Sequence, residues 1–171
     1  MTERDRETPL VHDSTGSAPD AVHDVAPDDV AELLDRLMLR GIRLVRSSGE
    51  TPPLASGDVA AVETHLEPAR MRVDSSEVSL WYEHRVHCRD EEGGDLATIE
   101  TGVVVDFDLT HGDEPELAVV ACLADTNGIF IAWPYIRESV QSMSVRLGLA
   151  PITLGILRRD QDAYASDHGE P

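Results

Sequence analysis

The 171-residue chain contains no lysine; all 14 of its basic side chains are arginine. A mechanism that needs a lysine nucleophile or Schiff base is therefore excluded, and we read the bias as genomic more than functional. Cysteine is scarce as well. Cys88 and Cys122 cannot form a disulfide framework, and two reduced thiols suit the cytosol. The longest nearly continuous apolar run, LAVVACLA at 117–124, falls far short of a membrane span. The opening MTERDRETPL carries acids and no apolar core, unlike a secretory signal. Clusters of positive charge are missing too: 33 acids against 14 arginines leave a net charge of −19. Such a chain is a poor ligand for nucleic acid and is repelled by anionic membranes, so neither is an expected partner. No phosphate-cradling glycine loop and no nucleophile elbow is present. Aromatic residues make up only 4% of the chain, which gives weight to where each one stands.

What is there reads as one domain. Residues 1–26 are polar, acidic and without period, and are expected to form a disordered tail; 161–171 form a second polar tail around a domain at 27–160. PDDVAELLDRLMLRG predicts a helix over 28–40, with Asp28 and Asp29 at its start, Val30, Leu33, Leu34 and Leu37 on its apolar face and Gly41 ending it. IRLVRS at 42–47 predicts a short strand, and SSGETPPLASGD a loop. VETHLEPARMRV predicts an edge strand broken at Pro68. VSLWYEHRVHC and LATIETGVVVDF alternate apolar with polar residues, and RDEEGGD between them can turn, so they predict an antiparallel hairpin with one dry face. Beyond a polar turn the period changes. PELAVVACLADTNG predicts a helix, IFIAW a short apolar connection, and AWPYIRESVQSMSVRLG a second helix with Pro134 in its first turn and Gly148 as its stop. Ile136, Val140, Met143 and Leu147 give that helix one apolar stripe. The expected fold class is α+β: an antiparallel sheet of about four strands followed by two helices, plus an N-terminal helix.

Three constellations could carry chemistry. His84, His87 and Cys88 are metal-ligand types, but on a strand His84 and Cys88 share one face while His87 points to the other, so the plainer reading is a half-buried histidine beside a core thiol. Asp106, Asp108 and His111 could serve a small metal-dependent hydrolase, or could be a strand end and a polar turn. Trp81 stands among Ser79, Glu83 and Arg85 on the wet face and calls for cover by another element, a subunit or a ligand.

The stretch from Trp133 to Pro151 is the most specific. Trp133, Pro134, Tyr135, Arg137, Glu138, Val140, Ser142, Arg146, Gly148 and Pro151 resemble the signature helix of the SecB export-chaperone family, and the order of elements over roughly 42–154 is similar to that family's. The resemblance implies a cytosolic holdase with no enzymatic activity and no cofactor or metal, assembled as a tetramer, a dimer of dimers. It implies binding of unfolded or aggregation-prone polypeptides in apolar grooves, with Trp81, Phe107, Phe130, Ile131 and Trp133 as groove candidates and Pro134, Tyr135, Arg137 and Glu138 as signature positions. Handover to the SecA motor would use acids on the outer sheet face, of which Glu100 matches one. Some SecB-like proteins instead protect the antitoxin of a toxin–antitoxin pair, and the sequence leaves both client classes open.

Overall fold

A computed structural model describes residues 25–53, 57–67 and 69–157. The expected tail at 161–171, all but the last two residues of the one at 1–26, residues 54–56 and 158–160, and Pro68 lie outside the described residues.

Helix α1, Pro27–Arg36, opens with Pro27 and the carboxylates of Asp28 and Asp29 and buries Val30 and Leu33. It stops at Arg36, short of the predicted end at residue 40. The reason is tertiary. Thr110 takes the Arg36 carbonyl with its backbone N–H, and the Arg36 side chain bonds the carbonyls of His111 and Asp113. Leu37 then enters strand β1, Leu37–Glu50, which is 14 residues long where a short strand was expected. Gly41 is not a helix stop; it follows a bulge at Arg40 in the pairing with the last strand.

β2, Ala61–Leu66, and β3, Arg70–Val73, both pair with β4, Glu77–Arg89, so the predicted interruption of that segment is present. β4 and β5, Asp95–Leu109, form the expected hairpin in continuous register from Val78↔Phe107 to Cys88↔Ala97. The sheet is antiparallel with five strands, in the order β1-β5-β4-β2, with β3 also on β4.

The largest departure follows the sheet. α2, Leu117–Leu123, does not end at a linker: a π turn, Ala124–Gly128, carries it into α3, Ile129–Arg146. IFIAW is therefore helical, and Pro134 lies inside a helix instead of starting one. The run Leu117–Arg146 is long and apolar enough to cross a membrane by length and composition. Here its apolar stripe of Ile129, Ala132, Ile136 and Val140 is buried in the core with the inward residues of β4 and β5. Gly148, at φ 79°, ends it as predicted.

Candidate functional site

The long helix crosses the inner sheet face obliquely. At one end the Tyr82 hydroxyl on β4 donates to the Ala124 carbonyl at 2.8 Å, and the Trp133 ring stands edge-on to His84 with centroids 5.6 Å apart. Gly128 permits this approach, since a Cβ there would collide with Tyr82 Oη and lie 2.6 Å from Leu80 Cδ1. Toward the other end the helix has moved over β1. Ser139 Oγ lies 3.0 Å from Ser47 Oγ and accepts from Thr101 Oγ1 at 3.2 Å, and Gly49 lies under Met143 and Leu147.

An oblique crossing leaves a wedge of β1 uncovered. Leu39 and Leu44, which oppose Phe107 and Val103 on the inner face, are 47% and 49% exposed, with Ile42 half-buried between them. Ile131, Tyr135 and Ser139 recur every four residues and so line one flank of α3. Ser139 meets Ser47, so this flank is the one turned toward β1, and Tyr135 is exposed along it. The Ser47–Ser139 contact thus sets two apolar strips on either side of the crossing, Leu39, Ile42 and Leu44 on β1 and Ile131 and Tyr135 on α3, and we infer that they are the banks of a trough. Nothing in it is charged. An exposed apolar strip of this kind can take up apolar side chains of many shapes.

The groove candidates do not all meet there. Ile131 belongs to the trough, and Phe107 lies buried beneath it beside Leu39. Phe130 is exposed on α3, and Trp133 occupies a different flank, where its indole N–H donates to the Gly155 carbonyl at 2.9 Å. Trp81 is on the outer sheet face, 39% exposed, with the Arg70 guanidinium 5.2 Å from its ring centroid. Of the signature positions, Arg137 is half-buried and Glu138 exposed. Leu39, Leu44 and Tyr135 are not among the groove candidates that the sequence offers. Leu37, Leu39, Ile42 and Leu44 step by two on either side of the Gly41 bulge, which is a strand signal, but Leu37 also fits the helical stripe of Val30, Leu33 and Leu34.

The outer face is a lattice of ion pairs. Glu100 contacts Arg46 at 2.7 Å and Arg85 at 2.9 Å, which balances its charge. Asp106, almost wholly buried, takes Arg43 at 2.7 Å and the Ser79 hydroxyl at 2.7 Å; the Arg43 bond holds its carboxyl below the usual range. Asp108 faces Arg40 at 3.3 Å, and His111 Nδ1 lies 2.8 Å from the Thr110 hydroxyl. The hydrolase arrangement is thus not assembled: its two aspartates neutralise arginines, and the described residues hold no group of three acidic, histidine or cysteine side chains fit for a metal. His84 and Cys88 face inward as expected. Burial, reinforced by the charge of His65, pushes His84 down to about 4, and burial raises the Cys88 thiol.

Comparison with known proteins bears on what such a trough is for. No family model matches the chain. Among curated proteins it is 31% identical over 152 residues to the SecB-like chaperone Rv1957 of Mycobacterium tuberculosis, covering 75% of this chain and 82% of that one. The chain belongs to the SecB-like chaperones. The same identity and coverage hold for the SecB-like chaperone MT2006 of a second strain of that organism. A solved structure of Rv1957 in complex with a ChAD peptide from the Rv1956 HigA1 antitoxin superimposes with a TM-score of 0.66 at 28% identity, covering 78% of this chain and 99% of that one. As a SecB-like protein, this chain presents its trough in the setting of a chaperone.

Proposed function

We propose that the chain is a holdase whose principal client is an aggregation-prone antitoxin, held through apolar side chains in the Leu39–Ile42–Leu44 trough. The carrying observation is the exposure of Leu39 and Leu44 on the inner face of β1, apolar surface in a chain of net charge −19. Apolar surface without fixed polar groups suits segments of varied sequence better than it suits a small molecule. The antitoxin peptide on the Rv1957 relative favours that client class over exported preproteins. At Glu100, two arginines leave little free negative charge for the SecA motor.

The activity needs no chemistry and no cofactor: preferential binding of the unfolded state draws a client away from aggregation by mass action. The protein acts in the cytoplasm, as a homo-oligomer. β1 lies at the edge of the sheet, and its long free edge is the surface along which a second copy would pair on the way to a tetramer.

Light scattering of a denatured antitoxin diluted into buffer tests the reading. The chain should suppress scattering at near-stoichiometric ratios, Leu44→Asp should need about tenfold more protein, and Trp81→Ala on the outer face should act like the parent. Absence of suppression by the folded parent would overturn the holdase, and loss confined to Trp81→Ala would move the site to the other face.

A further inference from the structure

The segment after α3 is neither helix nor strand, yet it is firmly seated. From Ala150 to Leu157 it buries alternate side chains in its middle: Ile152 and Leu154 join the core, while Thr153 and Gly155 are exposed and Ile156 is 75% exposed. The Leu149 N–H donates to the Ser144 carbonyl at 3.0 Å, and two further hydrogen bonds each join an α3 side chain to the segment's main chain. Ser144 Oγ accepts from the Ile152 N–H at 3.0 Å, and Trp133 Nε1 donates to the Gly155 carbonyl at 2.9 Å. Because Ile152 meets Ser144 and Gly155 meets the earlier Trp133, the segment runs antiparallel to the helix. Arg137 lies between those two residues on the same flank, and its Nε is shielded from solvent with no partner among the described residues.

These are contacts any polypeptide could make: main-chain N–H and C=O to side chains, and two apolar pegs at positions i and i+2. We propose that this flank of α3, lined by Trp133, Arg137 and Ser144, is a second polypeptide-binding channel. Residues 150–157 fill it as an intramolecular ligand, which an extended segment with alternate apolar side chains displaces. Such a segment would reproduce the Ile152 and Leu154 pegs and could offer a carbonyl to Arg137 Nε. The resident strap lowers the channel's apparent affinity by the fraction of time it is seated, so loosening the strap strengthens binding of a competitor. The inference rests on the chaperone reading only for the identity of the natural displacing segment.

The test uses a synthetic peptide of residues 149–157, LAPITLGIL, and the full chain carrying Trp81→Phe so that Trp133 alone reports. The double variant Ile152→Ala/Leu154→Ala should bind the peptide in trans with a saturable change in Trp133 emission, at least about tenfold tighter than its parent. A folded double variant that ignores the peptide would overturn the proposal. Should the double variant not fold, hydrogen exchange on the parent decides. Excess peptide should speed exchange of the Ile152 amide while the β4–β5 amides stay protected; an unchanged Ile152 amide would overturn it. Neither readout involves a client, so failure of the scattering assay and failure of the channel are seen separately.

Discussion

Two buried polar residues show how side chains set the protein's response to pH. His84 is enclosed by the sheet and Trp133, and burial lowers it from 6.5 to about 4. A group whose folded value lies below its unfolded one stabilises the fold above the unfolded value, and that contribution is lost as pH falls toward the folded value. The shift corresponds to roughly 3 kcal/mol, lost between about pH 6.5 and 4 as the fold resists a proton that the unfolded chain accepts. His84→Leu should therefore flatten the pH dependence of urea midpoints across that window, while the parent's midpoint falls. Asp106 works through its partners. Asp106→Asn removes the charge that Arg43 and Ser79 bind, and should cost about 1–3 kcal/mol by chemical denaturation. Because Asp106 and Asp108 face arginines, magnesium, manganese or zinc ions should leave the melting temperature unchanged.

Among the elements, the join between α2 and α3 is the most sensitive. Gly128 lies so close to Tyr82 and Leu80 that a methyl group has no room, so Gly128→Ala should destabilise by about 1–3 kcal/mol. Tyr82→Phe loses the bond to Ala124 and should cost about 1 kcal/mol. The same join shows where the sequence stops being legible. Asn127-Gly128, which closes the helix predicted over PELAVVACLADTNG, and Pro134 are local signals for a helix end and a helix start. Packing overrode both, because Gly128 is needed for its missing side chain rather than for a turn, and the apolar stripe from Ile129 to Val140 is continuous across the proline. The β4–β5 hairpin was legible because one face is buried, and a period of two then fixes every inward side chain. β1 is half-legible: Leu37 satisfies either period, Leu39 fits only the period of two, and pairing with Leu109 and Phe107, 68 or more residues away, decides for a strand.

At the scale of the molecule, the two faces of the sheet differ. Seven arginines (Arg40, Arg43, Arg46, Arg70, Arg72, Arg85 and Arg89) form ion pairs on and around the outer sheet face. The uncovered apolar strip lies on the inner face between β1 and α3. On the proposed reading, the charged face keeps a strongly acidic protein dispersed while the apolar strip receives the client. The difference between the faces also explains why the groove candidates scattered. A shortage of aromatics draws attention to Trp81 and Trp133, yet the trough is built mostly from aliphatic residues that any core would contain. The most direct measurement is photo-crosslinking. A benzophenone amino acid placed at Leu44, and as a control at Thr98 on the outer face, would be irradiated in the presence of an unfolded antitoxin. The account predicts client adducts at position 44 and none above background at position 98. Adducts at 98 with none at 44 would contradict it.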